Sequence, residues 1–411
     1  MSYAVRAIAF LALAQPAAAS TLQTIFSFGG AGNAGFAPAG QILADHAGNV
    51  YGITTDATVG GGAIYEISPP ANGGAWTGAG IYQFVVGHVG VIPSGGLAGG
   101  AGRFFAATDA NNYSENYGCG SVFSLSLSSA AATALKLSHL NSAPGSGCYP
   151  DGPVNLAPNG DVFAIAGNGG KAQGGFGAIM RFRPPAMGRT HWSQQTIYSF
   201  TGKVDGFYPQ QPMLLSASGA LYGTALASSN GRAFPTPLFQ LRPPVHGQNG
   251  WNFSLIYQFP PAECADGVGQ LIEDAHGVIY GPCSDNLGSG GDQPGNIFSL
   301  TIPASSNAPW TRKVLWSFSG GADGGHPQTA LTLDAAGNVY GTTSQGYGTI
   351  FRLTPPAGGG TPWTETTLWN FSGSDGNMPS SPLLLTGAGT LIGTTYSGGQ
   401  GDAGTVFELT P

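Results

Sequence analysis

Five Asp-Gly pairs punctuate the chain, at Asp151, Asp205, Asp266, Asp323 and Asp375, and His326 follows three residues after one of them. Carboxylates carried on flexible loops are what a calcium-binding or sugar-binding rim needs, because hard cations and hydroxyl-rich ligands both call for oxygen partners. An imidazole beside a carboxylate, such as His326 with Asp323, is the pairing that acid–base chemistry uses. The surrounding spacing limits these readings. No D-x-D-x-D-G calcium loop occurs, nor an H-E-x-x-H, a G-x-S-x-G elbow or a phosphate-binding P-loop. A turn explains each Asp-Gly more economically, since Asp accepts backbone hydrogen bonds and Gly supplies a positive φ. Carboxylate pairs for glycoside hydrolysis cannot be assigned, because their separation is a three-dimensional quantity. His46 and His276 fall in hairpin turns. Candidate binding residues are therefore Asp151, Asp205, Asp266, Asp323, His326 and Asp375; calcium is the one cofactor considered, and no metal-ligand set is expected.

These residues sit between units of a repeat. One copy is Leu331–Trp363, LTLDAAGNVYGTTSQGYGTIFRLTPPAGGGTPW, followed by TLWNF. The order is constant: an apolar strand, a D-x-x-G turn, a Tyr-Gly-Thr-Thr-like strand, a Gly-rich loop, a Phe-x-Leu strand, Pro-Pro, Trp and a last aromatic strand. Seven copies are recognisable, the second degraded and without its Trp. The anchors Phe28, Phe84, Leu140, Phe200, Phe259, Phe318 and Phe371 recur every 53 to 60 residues, a period that signals a radial or linear array. Short alternating runs of Val, Ile, Leu, Tyr, Phe and Thr bounded by Gly, Asn, Asp and Pro are strands and turns.

The best copies, Tyr340–Thr343 with Thr349–Pro356 and Gly393–Thr395 with Gly404–Pro411, resemble the GloVer (Gloeobacter/Verrucomicrobia-type) tandem repeat and its YGTT…GTVFxLTPP core. The resemblance covers nearly all of the chain after residue 19, with the second copy departing from the pattern. It implies an exported repeat protein and brings no general activity with it.

The ends specify the architecture. The seventh copy, PLLLTGAGTLIGTT then GTVFELTP, lacks a last strand, and TLQTIFSF (Thr21–Phe28) is a last strand without a unit. If that strand completes the seventh sheet, the expected fold is an all-β, seven-bladed β-propeller of four-stranded blades forming one domain over 20–411, and closure limits exposed edges. A linear solenoid leaves the orphan strand unexplained. In the propeller the Asp-Gly pairs share a rim with the loops between second and third strands. Function is expected where copies depart from the bare scaffold, chiefly in the long loops 109–120, 225–237 and 284–295.

Four cysteines allow three pairings. Cys119 and Cys148 fall on one rim in adjacent blades, and Cys264 and Cys283 on the same rim within one blade, so these two bonds are expected. Trp76, Trp192, Trp251, Trp310 and Trp363 share one position before the last strand, as residues filling the wedge between sheets would.

Arg6, the apolar run 7–14 and Pro16–Ala19 have the layout of a secretory signal peptide over 1–19, cleaved near Ala19 into a secreted or periplasmic protein. That compartment permits disulfides. A net charge of −7, only 13 Lys and Arg, and 8% charged residues exclude nucleic acid as a partner and favour no anionic membrane. No segment after the signal is long and apolar enough to span a bilayer, and a monomer is expected. These features suggest a non-catalytic module that binds a glycan or an extracellular protein through one loop-rich rim; the alternative is a polysaccharide hydrolase or lyase with its site over the central channel.

Overall fold

The computed structural model describes residues 19–411 except 30–33, 57–60, 72–73, 85–92, 101, 109–118, 128–131, 140–146, 151, 172–174, 188–190, 210–211, 227–235, 246–249, 261–263, 265–266, 285–293, 304–308, 359 and 361, with the backbone alone over 132–139. The signal-like segment 1–18, Asp151, Asp266 and most of the three long loops lie outside the described residues. Every regular element described is a β-strand. Among the described residues no helix is long and apolar enough to cross a membrane.

Each repeat folds on itself as a meander. In the sixth, Thr332–Leu333, Val339–Thr343, Thr349–Thr354 and Thr364–Asn370 pair antiparallel in chain order. The fourth and fifth repeat this plan, and the third adds Gly147–Pro150 ahead of its short first strand. The first and second share an eight-stranded sheet through a single parallel bridge, Gln41 to Gly96. In the seventh, the fourth strand is Thr21–Ser27, running antiparallel to Thr405–Thr410 from Thr21 opposite Thr410 to Ser27 opposite Thr405. The orphan strand thus supplies what the last repeat lacks.

The Tyr-Gly-Thr-Thr signature has a physical cause at each letter. In repeat six, Asp334 accepts the backbone N–H groups of Ala336 and Asn338 and the Tyr340 hydroxyl, which fixes the hairpin before the second strand. Gly341 is required by close approach: a Cβ there would lie 2.5 Å from the Phe351 ring. Gly223, Gly281 and Gly393 face Phe239, Phe298 and Phe407 in the same way. The last Thr pairs across the sheet through its hydroxyl, Thr343 with Thr349 at 2.8 Å and Thr395 with Thr405 at 2.9 Å. Both pairs are buried, so each hydroxyl satisfies the other.

The core lies between sheets. A β-bulge shifts the register beside the central residue of each third strand, which is Met180 in repeat three and an aromatic elsewhere, for example between Ile297 and Phe298 and between Ile350 and Phe351, and bulges re-aim side chains in this way. The aromatic then meets the last-strand Phe of the preceding repeat edge-on: Phe84 with Phe123, Phe200 with Phe239, Phe259 with Phe298, Phe318 with Phe351 and Phe371 with Phe407, at 5.1–5.4 Å. The same contact joins Phe28, directly after the strand completing repeat seven, to Tyr65 of repeat one at 5.0 Å. The Trp residues make a second inter-repeat contact. Trp192, Trp251, Trp310 and Trp363 each pack against the second-strand aromatic of the preceding repeat, namely Phe105, Phe163, Tyr222 and Tyr280. Sequence reasoning placed these tryptophans in the wedge, and that is where they lie.

Candidate binding site where the repeats meet

One junction geometry recurs from repeat to repeat on the face carrying the Asp-Gly loops. The residue before a proline donates its N–H to a carbonyl just ahead of the neighbouring third strand: Tyr149 to Cys119 (2.9 Å), Tyr208 to Phe176 (2.9 Å), His326 to Pro294 (2.7 Å) and Met378 to Tyr347 (3.0 Å). Ala37 of repeat one donates likewise to Ala403 of repeat seven, at 3.0 Å. The glycine after each acceptor gives room to the neighbour's proline. A Cβ on Gly120, Gly177, Gly295, Gly348 or Gly404 would come within 2.4–2.9 Å of Pro150, Pro209, Pro327, Pro379 or Pro38. The glycine ahead of each third strand is therefore a packing requirement between repeats as well as a site of positive φ.

Cys119 and Cys148 flank one of these junctions and are bonded to each other, with Cα atoms 4.4 Å apart. Cys264 and Cys283 form the second disulfide, with Cα atoms 4.9 Å apart. Both pairings match the sequence expectation.

The inner ends of the first strands converge on a single cavity of about 450 Å³. Its lining draws on all seven repeats: Gln41, Gly95, Pro153, Pro212, Gln270, Gln328 and Ser380 represent them in order. Backbones nearly touch there. A Cβ on Gly40 would meet the Gly95 carbonyl group at 2.4–2.5 Å, and one on Gly95 would meet Gly152 and Pro153 at 1.8–1.9 Å. Gly40 also donates its N–H to Ser380 of repeat seven, at 3.1 Å, and the Ser380 hydroxyl donates to Pro38 at 2.6 Å. The polar side chains among the lining residues are the amides of Gln41, Gln270 and Gln328, the hydroxyls of Thr329, Ser344 and Ser380, and the Tyr396 phenol. Apart from the Tyr396 phenol, no ionisable side chain lines it among the described residues. Second-strand threonines brace the wall from behind, Thr342 bonding Thr329 at 2.8 Å and Thr394 bonding Ser380 at 3.1 Å.

The described Asp-Gly carboxylates do not face this cavity. Each organises the turn that follows a last strand. Asp205 accepts the Thr201 N–H and hydroxyl, the Lys203 N–H and the Tyr198 hydroxyl. Asp323 accepts the N–H and hydroxyl of Ser319 and the Trp316 indole N–H. Asp375 accepts the same pair from Ser372 and the Trp369 indole N–H. Their lone pairs are thus engaged by their own loops and by the polar edge of the last-strand aromatic. That spacing, aromatic-x-Phe-Ser/Thr-Gly followed by Asp, is present in the sequence, but residue types alone do not name the carboxylate's partner. His326 lies beside Gln328 with Nδ1 buried and unpartnered among the described residues, while its carbonyl accepts the Ser344 N–H and hydroxyl. Among the described residues no group of three or more His, Cys, Asp or Glu could hold a metal ion.

A second polar network occupies the opposite, hairpin face. Burial alone would push the Asp45 and Asp334 carboxyls up, yet hydrogen bonds from Asn49 and Tyr51, and from Asn338 and Tyr340, outweigh it and hold both below the usual carboxylate value. Burial, together with the neighbouring Asp274 charge, pushes the Tyr280 phenol up to about 12. In repeat three the same corner is rebuilt: Phe163 replaces the tyrosine, and Asp161 instead takes an ion pair from Arg181. These residues complete a turn.

The sequence model of the Gloeobacter/Verrucomicrobia repeat matches residues 110–346 and 267–411, well over half of the chain. The chain belongs to the Gloeobacter/Verrucomicrobia repeat family. In this member of the family, the glycines, threonines and aromatics of the repeat are those shown above to build sheets and junctions. No curated protein matches the sequence. Among solved structures, the chain is similar to a polysaccharide lyase at 11% identity, over 91% of this chain and 90% of the other, with a TM-score of 0.54. It is also similar to a putative 6-phosphogluconolactonase from Bacteroides fragilis, at 12% identity over 84% and 87%, with a TM-score of 0.51. An α-L-arabinanase from Penicillium chrysogenum follows at 11% identity over 94% and 97%, with a TM-score of 0.48. At such identities the likeness is one of fold, all-β and propeller-like.

Proposed function

We propose that this repeat protein is an exported, closed seven-bladed β-propeller that binds a neutral glycan at the mouth of its central cavity without transforming it. Closure is supported by three contacts between repeats seven and one that copy those at other junctions: the Phe28–Tyr65 pair, the Ala37 to Ala403 hydrogen bond, and Gly404 against Pro38. Export is supported by the two disulfides and by the family, and it agrees with the signal-like segment 1–19.

The observation that carries the binding reading is the cavity lining. Carboxamides and hydroxyls both donate and accept, which suits the alternating donors and acceptors of sugar hydroxyls. An acidic polysaccharide would enter with no cation among the described lining residues to offset its desolvation, against a chain whose net charge is −7. General acid–base cleavage needs positioned proton carriers, and the described lining offers one, the Tyr396 phenol, among amides and hydroxyls.

Affinity electrophoresis of the mature protein tests this. Gels containing laminarin, hydroxyethylcellulose or arabinan are compared with gels containing polygalacturonate or alginate, each with calcium and with EDTA. Retardation in at least one neutral gel, unchanged by EDTA and without new reducing ends, is expected. Retardation confined to acidic gels, or none in neutral ones, would overturn the proposal. New reducing ends or unsaturated products would favour a polysaccharide hydrolase or lyase instead.

A further inference from the structure

The junction geometry contains a repeated strain that the fold does not require. In five repeats the residue before the junction proline is not glycine, yet its backbone is left-handed: Ala37 (φ 54°), Tyr149 (56°), Tyr208 (50°), His326 (58°) and Met378 (55°). An L-residue there brings its Cβ against the backbone, whereas glycine carries no such penalty. The following proline restricts the position further. The junction hydrogen bonds use the backbone of this residue: its N–H throughout, with the carbonyls of Ala37 and His326 also accepting from Thr55 and Ser344. Glycine is abundant in the same loops and takes positive φ close by, at Gly206, Gly324 and Gly376. The junction's glycine and proline hardly vary, while the strained side chains are a methyl, two phenols, an imidazole and a thioether. Strain kept where the fold does not need the side chain points to a function for that side chain.

We infer that the pre-proline side chain of repeat seven, Met378, reads the ligand, and that with Tyr396 and Tyr347 it forms a ledge carrying a neutral glycan chain outward from the cavity. The inference rests on the neutral-glycan reading given above. Met378 lines the cavity together with Tyr396. The two sit on neighbouring strands, between the register pairs Asn377–Ser397 and Pro379–Thr395. Tyr347, whose carbonyl holds the Met378 N–H, has its ring against Gly373. These three are among the most exposed large apolar side chains, at 46%, 46% and 54% of their surface for Met378, Tyr396 and Tyr347. A thioether and two phenol rings offer apolar faces to the C–H face of a pyranose, while amides within the cavity take its hydroxyls. One sugar in the cavity and the next ones on the ledge make affinity depend on chain length.

The test titrates laminari-oligosaccharides and cello-oligosaccharides of two to six sugars into the mature protein and into three variants, by calorimetry, with thermal unfolding measured in parallel. Wild type is expected to bind the hexamer of one series more tightly than its dimer, by about five- to tenfold for each stacked ring. Met378→Gly is expected to raise the unfolding temperature, because the strain is relieved, and to lose most of that length-dependent gain, so that the hexamer binds little more tightly than the dimer. Tyr396→Ala loses the same gain. Ala37→Gly raises the unfolding temperature and leaves binding as in wild type, since a methyl reads nothing. A fall in unfolding temperature for Met378→Gly, or hexamer binding equal to wild type, overturns the inference and leaves the neutral-glycan reading standing. Absence of any neutral oligosaccharide binding by wild type overturns both.

Discussion

Gly341→Ala is the sharpest probe of how one letter of the repeat is enforced. The backbone at this position is not left-handed, so alanine itself is acceptable there. By restricting the unfolded chain it would stabilise by about 0.4–1 kcal/mol if the space were open. The space is closed. The new methyl would lie 2.5 and 2.9 Å from two atoms of the Phe351 ring and 2.9 Å from Leu331. Phe351 is fully buried and held at its other side by Phe318, 5.1 Å away. Overpacking of this kind costs about 1–3 kcal/mol, so Gly341→Ala should lower the urea midpoint with an unchanged slope. Repeat three shows the remedy, because Ala164 there stands opposite Met180. Phe351→Met alone should also destabilise, losing an edge-on aromatic pair worth about 0.5–1.5 kcal/mol. The double variant should nevertheless recover at least ~1 kcal/mol relative to the sum of the two single changes. Additivity within about 0.5 kcal/mol would refute the claim that ring and glycine are matched.

Two further outcomes follow from buried polar groups. Tyr65 occupies the position held by Phe239, Phe298, Phe351 and Phe407, and its hydroxyl is fully buried with no partner among the described residues; an unmet hydroxyl costs about 1–3 kcal/mol, so Tyr65→Phe should raise the urea midpoint, and a lower midpoint would count against this placement. The Asp334 carboxyl is held below its ordinary value of 3.8 by Asn338 and Tyr340 in spite of burial. Its contribution to stability is therefore present above that value and lost as pH falls through the depressed folded-state pKa. Asp334→Asn should flatten the acid limb of a stability–pH profile below about pH 4, and an unchanged limb would show that the turn does not rely on the charge.

Much of the architecture was legible because the repeat shows each strand seven times. Phe351 alone is an ordinary apolar residue, but in register with Phe298 and Phe407 it marks an inter-sheet contact. The missing strand after Thr410 and the spare one at Thr21 identified each other by the same logic, and the cysteine pairs followed from the rim they share. The site was less legible. Asp205, Asp323 and Asp375 drew attention because carboxylates are chemically conspicuous, yet their partners are a tyrosine hydroxyl, two indoles and their own turns. Gln41, Gln270 and Gln328 line the cavity but stand outside any motif, and only the convergence of first strands gives them a common address. The strained residues before Pro150, Pro209 and Pro379 carry no signal in sequence, since residue type does not report the sign of φ.

The proposed closed ring depends most on the strand at residues 21–27. Gln23 and Glu408 are register partners across that seam, and directly opposed residues on paired strands hold their Cβ atoms about 4.5–5.5 Å apart. Replacing both with cysteine and oxidising the purified mature protein, followed by peptide mapping, measures the seam directly. The closed ring predicts a disulfide joining positions 23 and 408 within single chains, with the two native bonds intact. Thiols that stay free, or cross-links joining separate chains, would contradict it.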